Sequence, residues 1–400
     1  MDGTLASRTG QLASVAPATG RLAGVPPFWP GLLLAVAVTC ITLGSMWDIS
    51  WHETVGRDSF WTPAHMLIYF GGVLAGCVSG WLAIQYTFLA GPEGRASSVQ
   101  VFGARAPLGA WLAIWGALAM LTSAPFDNWW HNAYGLDVKI ISPPHTVLGL
   151  GVFGISFGAW LLVLARQNRL QNGEGSGLFV YVGGVFLVLA SVFVMEYDFP
   201  NQQHAALFYK VCALAFPIRL VAMGRAGRTT WPATRMAAIY IMVVCLMVWI
   251  LPLFPAQPRL APILNPVTHM VPPPFPLLLI FPALAIDLVL RKAGDASGWR
   301  RVALAIVLGA TFLGVFFPVQ WFFSEFLLSP RAENWFFAGN RVWDYGSDLG
   351  RWTTQFWNVD PNRRNVDLIT ISAVAIAWAL ASFTSWIGLL LGGWMRKVQR

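Results

Sequence analysis

The 400-residue chain is short of charge. Only 11% of it is Asp, Glu, Lys or Arg, while 56% is hydrophobic. With a mean hydropathy of +0.59, there is too little polar surface to cover a water-soluble globule of this size. Acidic residues are scarcer than basic ones, 18 against 26. The excess cations fall in alternate loops between apolar stretches, which argues for a lipid bilayer and against nucleic acid as the partner. Cysteine is nearly missing: Cys40, Cys77, Cys212 and Cys245 stand singly in apolar segments. Neither a disulfide framework nor a thiolate metal site is indicated, and packing accounts for them. Residues 1–28 lack the basic-then-apolar pattern of a cleaved signal and read as a flexible cytoplasmic tail. Histidine is also scarce, with six in the chain, so each position carries information.

Spanning a bilayer takes about 20 mostly apolar residues. By that measure the segments 29–47, 63–89, 108–126, 143–165, 177–196, 205–223, 235–254, 274–290, 302–323 and 367–393 are candidates. The expected fold is all-α: a polytopic membrane helical bundle of about ten transmembrane helices built from helical hairpins. An even number places both termini on one side. That side also collects Arg95, Arg105, Arg166, Arg169, Arg225, Arg228, Arg235, Arg291, Lys292, Arg300, Arg301, Arg396, Lys397 and Arg400. The bias of basic residues makes it cytoplasmic and puts all six histidines on the extracytoplasmic side. Three regions follow: the tail, hairpins at 29–165, and further transmembrane helices over 166–400. The last region includes a Trp-rich outer loop at 324–366, read as a partly helical cap at headgroup level.

A pattern is written twice. Asp48, Trp51, His52, Gly56, Asp58, Thr62, Pro63 and His65 recur in order as Asp127, Trp130, His131, Gly135, Asp137, Ser142, Pro143 and His145. In helical conformation Asp48 and His52 are i and i+4 neighbours on one face. If that turn extends the first membrane helix and the chain folds back, His65 at the head of the second reaches the same ion. Asp127, His131 and His145 repeat the set. Thr62-Pro63 and Ser142-Pro143 read as helix caps followed by Pro at the first helical position, which fixes where the next histidine points. Two imidazoles and a carboxylate suit copper, iron or zinc and leave positions open for other ligands. Glu53, Arg57, Asp58 and Asp137 read as second-sphere or loop partners of the imidazoles. His204 and His269 lack a second histidine at ligand spacing and offer a third site only if the fold brings them together.

The segment W-H-E-T-V-G-R-D-S-F-W-T-P-A-H, residues 51–65, resembles the C subunit of the copper membrane monooxygenases, the family of particulate methane monooxygenase and ammonia monooxygenase. The resemblance covers about residues 30–165. It implies a copper site at Asp48, His52 and His65, which have the family's D-x3-H-x12-H spacing and would be the catalytic residues. A second copper position is implied at Asp127, His131 and His145, with Asp where the family has Asn. It further implies one or two copper ions, activation of dioxygen, hydroxylation of a small alkane- or ammonia-like substrate, and quinol as reductant. Other monooxygenase-type subunits or a homo-oligomer are the implied partners, and a bacterial or archaeal inner membrane the implied location. The competing readings are a non-catalytic membrane subunit that captures metal and a haem-bearing electron carrier. The aspartate in each triad has no place in the second of these.

Overall fold

Long apolar runs without internal charge become helices here because in lipid the backbone must satisfy its own hydrogen bonds. The computed structural model describes residues 27–56, 58–135, 142–170, 173–259, 267–339 and 369–400. In chain order the helices are α1 (Phe28–Thr54), α2 (Pro63–Ile84), α3 (Pro92–Ala96), α4 (Leu108–Tyr134), α5 (Pro143–Arg169), α6 (Ser176–Val192), α7 (Ala206–Ala215), α8 (Pro217–Ala226), α9 (Pro232–Ile250), α10 (Ile280–Ala293), α11 (Gly298–Leu327) and α12 (Ile371–Met395). The only strands among the described residues are β1 (Val99–Val101) and β2 (Ala104–Ala106), a small antiparallel hairpin between α3 and α4. The protein is an all-α bundle, and eight of its described helical segments are long and apolar enough to cross a membrane, α7 and α8 together making one of them.

Two of the ten expected spans are shorter than the sequence suggests. The stretch 177–196 is helical only to Val192 and passes into a tight turn at Met195–Tyr197. Nearly all of α6 is buried, with Gly183 and Gly184 seated against Trp160, Met223 and Ile239, as befits a helix apolar all round at the centre of a bundle. The stretch 274–290 becomes helical only at Ile280. Pro272, Pro273, Pro274 and Pro276 lack the N–H a helix needs and clash with the preceding turn. Non-helical backbone inside such a bundle persists where other groups satisfy it. The N–H of Leu277 donates to the Tyr240 hydroxyl (3.1 Å), that of Leu278 to Gln320 Oε1 (2.9 Å) and that of Val271 to Thr54 Oγ1 (2.8 Å). The Ser50 hydroxyl donates to the Val271 carbonyl. The last turn of α1 is thereby tied to the second half of the chain, and Arg259 N donating to Val55 O (3.0 Å) adds to the tie.

The duplication seen in the sequence extends to helix packing. α1 lies against α2, and α4 against α5. A Cβ added to Gly71 on α2 would meet the Ala37 carbonyl at 2.6 Å and Ile41 Cγ1 at 2.7 Å. One added to Gly151 on α5 would meet the Gly116 carbonyl and Met120 Cγ, each at 2.8 Å. Residues 37 and 41 correspond to 116 and 120 in the repeat, so both hairpins close with one register. Small residues allow such backbone approach where lipid supplies no hydrophobic drive between helices. α12 uses the same device on α8: a Cβ added to Gly388 would meet the Ile218 carbonyl at 2.8 Å, and one added to Gly392 the Ala222 carbonyl at 2.9 Å. At the end of the bundle remote from the repeated motifs, Asp295 holds Arg225 (2.6 Å) and Arg396 (2.8 Å).

Candidate metal centres

α1 and α4 each run past the apolar span, to Thr54 and Tyr134, so that Asp48–His52 and Asp127–His131 stand on their last turns. Each helix is followed by a left-handed glycine, Gly56 at φ +77° and Gly135 at φ +86°. Such a residue ends a helix and turns the chain without a Cβ penalty. Both glycines belong to the repeated pattern, which gives them their physical reason. Pro63 and Pro143 occupy first-turn positions of α2 and α5 as expected. Ser142 accepts from His145 N at 3.4 Å, a cap as anticipated. Thr62 differs: its hydroxyl accepts from Ser59 N (2.8 Å) inside the loop and does not cap α2.

The first cluster has four members. His65 Nε2 is 3.0 Å from Asp48 Oδ1 and 3.3 Å from Asp58 Oδ2. His52 Nε2 is 3.5 Å from Asp58 Oδ2 and 3.8 Å from Asp48 Oδ2. Asp48, Asp58 and His65 offer ligand atoms that all lie within 4.8 Å of one another. His52 stands at the rim, its side chain 49% exposed. Asp58, expected in a supporting role, therefore sits among the imidazoles, because the turn at Gly56 folds the loop back over the end of α1. The imidazoles also hold the Asp58 carboxyl below its ordinary pKa, chiefly through the His52 hydrogen bond, against the opposing effect of burial.

The second cluster brings together Asp127, His131 and His145, again within 4.8 Å. Asp127 Oδ1 is 3.3 Å from His131 Nε2 and 3.5 Å from His145 Nε2. Aromatic rings crowd this end: Trp130 packs on Tyr134 at 4.5 Å between centroids, and Phe126 and Trp129 stack beside them. Asp137, the counterpart of Asp58, lies outside the described residues, as do Arg57 and residues 340–366 of the Trp-rich loop.

Both clusters fit a cation. His65 Nδ1 lies 2.9 Å from the Ser59 carbonyl, a contact that assigns the proton to Nδ1 and turns the Nε2 lone pair toward Asp48 and Asp58. A lone pair aimed at carboxylates is favourable only with a proton or metal ion between them. Asp48 Oδ1 and Asp127 Oδ1 are closed off from solvent and are faced by imidazole nitrogens, His65 Nε2 at 3.0 Å and His131 Nε2 at 3.3 Å. Buried carboxylate oxygens in this condition are costly unless something positive meets them.

The remaining expected residues are placed elsewhere. Glu53 lies within electrostatic reach of His52 and of the buried Asp198. His204 is buried edge-on against Trp321 (3.9 Å), with Ser324 Oγ at 3.4 Å and Glu325 Oε1 at 3.7 Å. His269 meets Thr268 Oγ1 at 2.9 Å and pairs through its backbone with Pro255. These two histidines have different partners, and among the described residues neither joins a metal-competent group. Comparison with protein-family models, with curated proteins and with solved structures returned no match.

Proposed function

We propose that this integral membrane protein is the metal-bearing subunit of a monooxygenase, using copper to hydroxylate a small substrate drawn from the bilayer. The observation that carries the reading is the pair of carboxylate–imidazole clusters at the mouths of two helical hairpins, Asp48, Asp58 and His65 with His52 at the rim in the first and Asp127, His131 and His145 in the second. The likeness of residues 51–65 to the copper membrane monooxygenases supplies the metal and the reaction class. Overall, one oxygen atom of dioxygen enters the substrate C–H or N–H bond and the other leaves as water. Two electrons and two protons come from a reductant such as quinol, which becomes quinone. Bound copper would supply dioxygen activation and reversible one-electron chemistry.

The chain's own residues would do the rest. Asp48, Asp58, His52 and His65 would hold one ion, and Asp127, His131 and His145 a second. The Ser59 carbonyl fixes the tautomer of His65 by accepting from Nδ1. Phe60, Trp61 and Tyr69 pack together beside the first cluster, and apolar rings around a reactive centre limit access of water. The bias of basic residues toward the loops at the other end favours cytoplasmic termini with both clusters outside.

The test is His52→Ala and His65→Ala, separately, in protein kept in native lipid. Metal content of the first site and substrate oxidation should fall together; oxidation that persists without the metal overturns the reading. Capture of metal without catalysis is the second reading, favoured by the half-exposed His52 at the rim. Stable copper or zinc binding with no dioxygen consumption under any reductant would select it.

A further inference from the structure

The two hairpins differ at one position close to the clusters. The offset that carries Pro63 onto Pro143 and His65 onto His145 carries Tyr69 onto Gly149, so this phenol belongs to the first hairpin alone. Tyr69 stands one turn after His65 on α2, their ring centroids 6.0 Å apart, and it packs on Phe60 at 5.1 Å.

Helix packing turns Tyr69 toward the second hairpin. A Cβ added to Gly72 would meet Met120 Cε at 3.1 Å, and one added to Gly76 would meet Ala117 Cβ at 3.2 Å. The face of α2 that holds His65, Tyr69, Gly72 and Gly76 therefore lies against α4. Seven residues make about two turns of helix. Seven residues from the Gly72–Met120 contact, toward the motif-bearing end of each helix, stand His65 on α2 and Asp127 on α4, with Tyr69 just short of that level. Electrostatics points the same way: the charges of Asp127, Asp48 and Asp58 all reach the Tyr69 hydroxyl, and of the three Asp127 acts most strongly. The hydroxyl is hydrogen-bonded to none of these carboxylates, which leaves room between them for a small molecule. An ion at Asp127, His131 and His145 would have three protein ligands among the described residues, one fewer than a tetrahedral site takes. A neutral phenol offers one O–H donor, and donors beside a metal site orient what the metal holds.

We propose that Tyr69, from the first hairpin, completes the second cluster: its hydroxyl donates to a small hydrogen-bond-accepting ligand in the open position of the ion held by Asp127, His131 and His145. The inference rests on the metal reading of the clusters, and on neither copper nor the reaction assigned to it. The contact between α2 and α4 is then part of the site.

The test uses the full chain in nanodiscs, loaded with Co²⁺ as an optical probe and titrated with azide as the ligand. Asp48→Ala confines the ion to the second cluster, and Asp127→Ala confines it to the first. In the Asp48→Ala background, Tyr69→Phe should weaken azide binding about three- to tenfold, the worth of one hydrogen bond, with Co²⁺ affinity unchanged. In the Asp127→Ala background the same change should move azide affinity by less than about twofold. Phenylalanine keeps the ring and its packing on His65 and Phe60, so the fold is retained. Azide affinity unmoved by Tyr69→Phe at the second cluster, or lowered equally at both, overturns the proposal while leaving the metal reading intact. Loss of Co²⁺ itself from Tyr69→Phe also overturns it, because the phenol would then be a ligand of the ion. A wild type that binds no Co²⁺ overturns the metal reading and this inference together.

Discussion

Asp58 is where geometry departs most from spacing. Asp48, His52 and His65 are legible as a ligand set because i and i+4 on a helix and the head of the next helix are fixed by regular structure. Asp58 sits in a loop whose path depends on one left-handed glycine, and no periodicity reports that. With two carboxylates the first cluster is the more anionic of the described pair, so Asp58→Asn should weaken divalent-ion binding there by at least about tenfold, leaving the second cluster's affinity unchanged in a calorimetric titration with Zn²⁺. Equal affinity in wild type and variant would return Asp58 to a supporting role. His204 makes a different statement. Burial lowers its pKa to about 4 from 6.5, so it is neutral near pH 7. Between those values the unfolded chain binds the proton and the folded chain does not. Stability from this residue is complete above about pH 6.5 and declines as pH falls toward 4. His204→Gln should therefore flatten the drop in thermal midpoint between pH 7 and pH 5, with Glu325 as the nearby acid.

Helix existence was readable and helix ends were not. All ten apolar stretches contain helix among the described residues, since about 20 apolar residues have few alternatives in lipid. The extension of α1 and α4 by a further two turns was conditional on the motif, and the prolines before α10 cut a span the hydropathy alone would grant. The small-residue register escaped notice because glycine is common in this chain, and only the structure shows which glycines meet a backbone. It gives a direct test. Gly116→Val places branched bulk against the Gly151 carbonyl and Ile155 N, each 2.6 Å from a Cβ at that position. Overpacking of this kind costs about 1–3 kcal/mol. α4 and α5 should separate, so the variant should lose metal at Asp127, His131 and His145 while retaining it at the first cluster. Metal stoichiometry by mass spectrometry separates that outcome from general unfolding, in which both ions would be lost.

The bundle has two chemically unlike ends, one carrying the imidazole clusters and the other the Asp295 ion group and the basic loops. That contrast makes orientation testable through exposed positions near each end. Ser59→Cys should react with an impermeant maleimide in sealed cells, and Ser297→Cys only after permeabilisation. The reverse pattern would put the clusters in the cytoplasm and remove the charge argument. Cys212 and Cys245 are buried, and Cys40 and Cys77 lie within the apolar spans of α1 and α2, away from the aqueous faces where the maleimide acts. The knot of backbone and hydroxyl contacts at Ser50, Thr54 and Val55 bears on ion choice. A coordination shell that cannot breathe discriminates by ionic radius, whereas a pliant one accepts whatever arrives. Because residues near 259 and 271 brace the turn that carries Asp48 and His52, while α4 leans on its neighbours α2 and α5, ions held as proposed would not be chosen alike: the first cluster would be the fastidious one and the second the tolerant.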